Sequence, residues 1–235
     1  MRIAVISDIH SDSERLEQVL TAIDAAPLPV DEIWSLGDAL GAPRTKSPNP
    51  RATLELVQAR MTVLLAGNHE RSLLGDWAWA GGEPVAWLED ELEKISAKLS
   101  DQERAQIGTW PAAGSRHGIE LYHGASFDPV GGFLRAEDAP EHFENQSGRI
   151  SIVGHTHRAR LLAELDAGGN EYLAVDPTFS IPLNLSAFPS RSKLALNPGS
   201  ISFKQYNRED ETRSSWLLLA GETDDWREAT WFPVE

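Results

Sequence analysis

An α/β fold resting on a mostly parallel sheet is the expectation for this chain, and three observations carry it. Short β-rich runs alternate with helical patterns over roughly the first hundred residues, giving a βαβαβ order. That order implies parallel strands joined by right-handed crossovers. Five of the β-rich runs stop at a carboxylate, an imidazole or an amide. From about residue 114 onward strands dominate.

The first strand is Ile3-Ala4-Val5-Ile6, which ends ahead of Asp8-Ile9-His10. Ser11 and Glu14 then have capping-box spacing, and Leu16, Val19, Leu20 and Ile23 share one helical face. A second strand, Ile33-Trp34-Ser35-Leu36, runs into Gly37-Asp38 and a Gly/Pro-rich loop from Gly41 to Pro48. Asn49-Pro50 reads as an N-cap followed by Pro at the first helical position, with Leu54 and Val57 opening the buried stripe. The third strand, Val63–Ala66, delivers Gly67-Asn68-His69-Glu70.

Arg71 to Ala113 reads as a helical excursion over or beside the place where these loops meet. Pro84 opens an amphipathic segment carrying Val85, Leu88, Leu92, Ile95 and Leu99, and Ser100 with Glu103 suggests a second capping box before a short helix that stops near Pro111. Trp77, Trp79, Trp87 and Trp110 are expected to pack the excursion onto the body rather than stack on bases. Further strands are expected at 119–123, 150–154, 161–165, 171–175, 194–196, 201–206 and 215–220, with a last one near 228–232. Asp176 to Lys193 reads as a long loop. No repeat or linker divides the chain, so 1–235 is expected to be one domain with 71–113 as a cap-like insertion.

Composition narrows the function classes. A net charge of −15 argues against a broad basic surface for long nucleic acid, while leaving small phosphate ligands open, because bound dications reverse the potential locally. With no cysteine, disulfides and thiolate metal sites are excluded. No apolar stretch approaches a membrane span, and Met1-Arg2 runs straight into a strand, so the expectation is a cytoplasmic protein with no membrane partner. Oligomeric state is not written in the sequence.

Strand ends carry the chemistry. Ligands in open α/β sheets collect at the carboxyl ends of strands. Five of the seven histidines fall there: His10, His69, His123, His155 and His157. Asp8 and His10 would point to one side if the extended backbone persisted, and His155 and His157 repeat that spacing. Asp38, in a Gly-Asp turn between these groups, has two oxygens with which to bridge two cations. Together with Asn68, the set offers oxygen and nitrogen donors that suit borderline divalent metals.

In order and spacing, Asp8-x-His10, Gly37-Asp38, Gly67-Asn68-His69-Glu70, His123-Gly124 and Gly154-His155-Thr156-His157 resemble the motifs of the calcineurin-like metallophosphoesterase superfamily, in its small bacterial phosphodiesterase form. Asn197-Pro198-Gly199-Ser200 is similar to the turn after its last core motif, so the resemblance covers roughly residues 1 to 205. It implies a four-layer α/β/β/α sandwich with two central mixed sheets and a dinuclear centre at one edge. It also implies that Asp8, His10, Asp38 and His157 hold a first metal, and that Asp38 bridges to a second completed by Asn68, His123 and His155. His69, a non-ligand, would stand near the phosphate and the leaving oxygen as the catalytic acid. Manganese heads the implied metals, with iron, zinc, nickel and cobalt also admitted.

Three departures shape the expected activity. Ser11 stands where Gly is common, and Glu70 replaces the Asp of many bacterial relatives. Ala39-Leu40-Gly41-Ala42-Pro43 replaces the Asp-Arg-Gly continuation of the protein phosphatases. The expected function is hydrolysis of a small phosphoester, a nucleotide among the candidates, by in-line attack of a metal-bridging hydroxide, with diesters preferred. Asn68, His69, Arg44 and Arg158 are the expected substrate contacts. The alternatives are a phosphomonoesterase, a nuclease, or an interaction scaffold on the same fold. The retromer subunit is the precedent for a scaffold, but it lacks the acid histidine that is present here as His69.

Overall fold

A computed structural model describes residues 1–41, 47–165, 171–202 and 214–234. Arg44, the Ala42-Pro43 pair and residues 203–206 of an expected strand lie outside the described residues.

The first half holds β1 (Arg2–Ile6), α1 (Ser13–Asp24), β2 (Glu32–Ser35), α2 (Pro50–Arg60), β3 (Val63–Leu64) and α3 (Asn68–Leu73). Then come α4 (Ala86–Ser96), α5 (Asp101–Ile107), β4 (Ala113–Arg116), β5 (Ile119–Tyr122), α6 (Ala139–Asn145) and β6 (Ile150–Ile152). The chain continues through β7 (Arg160–Glu164), β8 (Tyr172–Val175), β9 (Leu183–Asn184), β10 (Leu194–Asn197), β11 (Ser215–Glu222) and β12 (Asp225–Pro233).

Two six-stranded sheets result, ordered β3-β2-β1-β11-β12-β9 and β4-β5-β6-β10-β7-β8. Both are mixed. Strands β1, β2 and β3 are parallel, as are β5, β6 and β10, and the flanking strands run antiparallel. The βαβαβ start therefore supplies only half of the first sheet, and the later antiparallel strands complete it.

Strand periodicity explains the layers. Ile3 and Val5 of β1 join Leu121, Ile152, Leu161, Leu196 and Trp231 in the core between the sheets. The alternate residues Ala4 and Ile6 face outward, onto Leu16, Val19 and Leu20 of α1 and Leu54 and Val57 of α2. On the far side, Val153, Leu162 and Ala195 meet Ala139 and Phe143 of α6. Helix, sheet, sheet, helix is the four-layer sandwich.

Local signals explain most of the helices. Asn49 caps α2 by accepting from Ala52 N at 3.2 Å, ahead of Pro50. Ser100 and Glu103 form a reciprocal box at the start of α5. The expected Ser11–Glu14 box is not formed; Asp12 caps α1 instead, accepting from Arg15 N. Ser11 is used elsewhere, its hydroxyl accepting from Gly41 N at 3.3 Å inside the loop cluster.

The apolar face of the excursion, Leu88, Leu92, Ile95, Leu99 and Ile107, extends the layer outside the first sheet, where Trp77 and Trp110 are also buried. Trp87 is 57% exposed and takes no part in that packing. Among the described residues, no helix is long and apolar enough to cross a membrane.

Candidate metal centre

The loops that follow β1 and β2 run side by side. Asp8 N donates to Gly37 O (3.1 Å), His10 N to Asp38 O (2.9 Å) and Ser11 N to Ala39 O (2.9 Å). The extended backbone does not persist through Asp8 and His10. Both have left-handed backbones, with φ of 57° and 50°, as have Asp38 (51°), His155 (61°) and His157 (58°). Each such residue costs on the order of 1–3 kcal/mol of strain and persists only where its surroundings over-determine it. The side chains converge because each loop turns sharply at the strand end, not because the strand continues.

Each carboxylate splits its oxygens between structure and site. Asp8 Oδ2 accepts from His155 N at 3.1 Å, and Asp38 Oδ1 accepts from His69 N at 3.0 Å. The remaining oxygens face imidazoles. Asp8 Oδ1 lies 3.0 Å from His157 Nε2, and His157 Nε2 lies 3.2 Å from His10 Nε2. Asp38 Oδ2 lies 4.0 Å from His10 Nε2, 3.6 Å from His69 Nε2 and 3.4 Å from His123 Nε2. His123 Nδ1 is 3.0 Å from Leu36 O, and its Nε2 faces Asp38 Oδ2 and Asn68 Oδ1, the latter 3.1 Å away.

Three groups have ligand atoms close enough to hold an ion: Asp8 with His10 and His157, Asp38 with His10 and His69, and Asp38 with His123 and His155. All seven expected ligands are thus brought together, with Asn68 joined through His123.

The electrostatics describe a cluster that seeks positive charge. Burial raises the Asp8 and Asp38 carboxyls, yet the adjoining imidazoles, His157 for Asp8 and His123 for Asp38, hold both below the usual range. Burial opposes protonation of His123, but Asp38 outweighs it and pushes the ring up to about 9. His155, where burial dominates, falls to about 4, and its buried Nε2 has no hydrogen-bond partner. A divalent ion satisfies both demands, neutralising the carboxylates and occupying the orphaned nitrogen; its binding would release protons. Oxygen and imidazole donors without thiolate fit borderline divalent metals.

Supporting residues fix this arrangement. Glu70, marked in the sequence only as a departure, is fully buried. Its Oε2 accepts from Asp38 N and Gly67 N and its Oε1 from Leu40 N, each at 2.8 Å, which ties the β2 and β3 loops together. Burial, with the Asp38 charge, pushes its carboxyl up to about 7. Asn197 Nδ2 donates to Gly154 O (2.7 Å) and Thr156 Oγ1 (3.0 Å), holding the His155–His157 loop. Gly37 has φ of +107°, and a Cβ there would lie 2.6 Å from Gly67 N and 2.8 Å from His123 Nδ1. No larger residue fits without displacing that imidazole.

The expected substrate contacts are placed differently from one another. Asn68 and His69 open α3 within the cluster, whereas Arg158 is engaged by Asp176 at 3.1 Å. Phe133 also reaches the cluster, its ring centroid 4.1 Å from that of His155. It sits in a loop with no motif, so nothing in the sequence marks it.

Comparison with known proteins agrees with this geometry. A family model described as a calcineurin-like phosphoesterase superfamily domain matches residues 1–220. The chain belongs to the calcineurin-like phosphoesterase superfamily. A metallophosphoesterase from Sphaerobacter thermophilus superposes with a TM-score of 0.77 at 26% identity, over 100% of this chain and 89% of that one. A hypothetical protein from Pyrococcus horikoshii gives 0.72 at 15% identity, over 100% and 88% of the two chains, and shares the fold. An uncharacterised protein of Methanocaldococcus jannaschii is 38% identical over 104 residues, which span 42% of this chain and 40% of that relative. Membership places this chain among the calcineurin-like phosphoesterases, and its Asp and His groups fit divalent metal binding.

Proposed function

We propose that this superfamily member is a dinuclear, metal-dependent phosphodiesterase. The observation that carries the two-metal reading is Asp38, which belongs both to the group with His10 and His69 and to the group with His123 and His155, its Oδ2 facing His10, His69 and His123. Asp8, His10, Asp38 and His157 would hold one ion; Asp38, Asn68, His123 and His155 would hold the other. When bound, such a pair supplies Lewis acidity toward phosphate oxygens and activates water near neutral pH.

The chain's own residues do the rest. Asp38 fixes both halves of the centre in one register. His69, beside Asp38 and held by its backbone contact to Asp38 Oδ1, is positioned to hand a proton to a departing oxygen. Preference for a diester is supported by charge. The ligand groups are built from Asp and His, and Arg158 is paired with Asp176. A monoanionic diester asks for less positive charge than a dianionic monoester. We place manganese first among the ions.

The test is turnover of bis(p-nitrophenyl) phosphate and p-nitrophenyl phosphate by manganese-loaded protein, with the ion content measured. Two ions per chain and faster diester hydrolysis are expected. One ion at saturation, or a faster monoester, would overturn the corresponding part of the reading.

A further inference from the structure

Phe133 is 45% exposed, a large apolar ring held in water beside the metal centre. One side rests on His155, and the guanidinium of Arg135 lies over the ring, 5.4 Å from its centroid. We propose that Phe133 is a stacking platform for a planar ring on the organic arm of the substrate, with Arg135 closing over that ring from outside. This deepens the hydrolase reading above and rests on it.

The platform is built in advance. Asp128 organises the loop that carries it: Gly132 N donates to Asp128 O at 3.1 Å, and Asp128 Oδ1 accepts from Val130 N and Gly131 N at 3.2 and 3.0 Å. Gly131 lies directly against Trp79 of the excursion, since a Cβ on it would fall 3.1 Å from Trp79 Cβ. The next residue, Leu134, is buried in the cluster with Ala139 and Phe143. Phe133 is therefore fixed from both sides along the chain, and its exposure is not that of a loose loop tip. Presenting it this way forgoes the burial an aromatic ring ordinarily gains.

Geometry selects a flat ligand. Aromatic carbons stack at about 3.5–4.0 Å, so a ring between Phe133 and the guanidinium needs about 7–8 Å between them. Arg135 must withdraw by about 1.5–2.5 Å from its present 5.4 Å. A long, exposed arginine makes that movement by rotamer change, and a guanidinium over a ring face is attractive in its own right. An aliphatic arm would displace the guanidinium without that gain. Because Phe133 touches a ligand of the metal centre, a ring seated on it belongs to an ester group of the phosphate bound there. The ring is either a nucleobase or an aryl group.

Calorimetric titration of the manganese-loaded protein decides this without depending on turnover. Adenosine monophosphate is compared with ribose 5-phosphate, and phenyl phosphate with methyl phosphate. Truncating a stacking aromatic typically weakens base binding by about 5- to 150-fold. Wild type should therefore prefer the ring-bearing member of at least one pair by about fivefold or more. Phe133→Ala should bring that ratio close to one, and Phe133→Tyr should keep it. Preference within the first pair alone assigns the platform to a nucleobase; preference within the second assigns it to an aryl ester.

Equal affinities in wild type, or no binding of the ring-bearing ligands, would overturn the proposal. So would equal losses on all four ligands in Phe133→Ala, or loss of manganese from that variant, since either would make the ring a shield for His155. Ring preference without hydrolysis of any phosphoester would sink the hydrolase reading and leave the platform; hydrolysis without ring preference would do the reverse.

Discussion

At the scale of single residues, His69 separates two roles that one position can serve. Its Nε2 lies 3.6 Å from Asp38 Oδ2, and its ring meets that of His10 edge-on at 4.7 Å. Burial lowers its pKa below the ordinary imidazole value, against the pull of Asp38. If His69 protonates the leaving oxygen, its worth depends on how poor that leaving group is, and positioned acid catalysis contributes about 10²–10⁴-fold. His69→Ala should then slow hydrolysis of an alkyl or nucleoside phosphodiester by about that factor, and a p-nitrophenyl diester much less, with metal content unchanged. Equal loss factors on the two substrates would assign His69 to electrostatic stabilisation of phosphate oxygens instead.

At the scale of elements, the two sheets are clasped at the end away from the metal ligands. Arg116, from the β4–β5 hairpin, pairs with Glu32 of β2 through Nε and Nη2 at 2.6 and 2.8 Å. His117 Nε2 and Trp34 Nε1 reach the same carboxylate, at 2.9 and 2.8 Å. The Arg116 hydrogen bond is the largest cause holding Glu32 down at about 2, against an ordinary carboxyl value of 4.5. A depressed folded-state value means that the clasp stabilises fully above about 4.5 and fades as pH falls toward 2. Glu32→Gln should therefore lower the melting temperature at neutral pH, and the gap to wild type should close between those limits. A gap independent of pH down to 2 would mean that Glu32 acts through packing or neutral hydrogen bonds.

What was legible in the sequence follows from the same level. Val5, Trp34 and Ile152 lie in apolar runs that end in polar ligands, so strand ends and ligands could be read together. The αL turns at Asp8 and His10 could not, because they depend on hydrogen bonds to residues some thirty positions away, Gly37 and Asp38. Helix α6 hides behind Pro140 and only seven residues, β4 is an Ala-Gly-Ser-Arg run without β-branched side chains, and β9 is a two-residue pairing inside the long loop from 176 to 193. Their positions come from partners in the fold, not from local preference. Phe133 belongs with them, since its role is set only by meeting His155 in space.

At the scale of the whole molecule, ligands from both sheets tie metal binding to global stability. Asp8, His10, Asp38 and Asn68 follow strands of the first sheet, and His123, His155 and His157 follow strands of the second. The unfolded chain scatters these donors, so an ion bound only by the folded state stabilises the protein by mass action. At a hundredfold excess over its dissociation constant, one ion contributes about 2.7 kcal/mol. For a chain of this size that amounts to roughly 5–10 °C in melting temperature. Chelation should lower the melting temperature, and added manganese should restore it in a concentration-dependent way. If two ions share Asp38, the variants separate: Asn68→Ala would remove a ligand of one ion and cancel about half of the metal-induced rise, whereas Asp38→Asn would weaken both and cancel nearly all of it. The paired variants keep this comparison independent of catalysis, because each is measured as the difference between its own metal-loaded and chelated forms. Equal losses in the two variants would indicate a single ion, with Asn68 and Asp38 both on it.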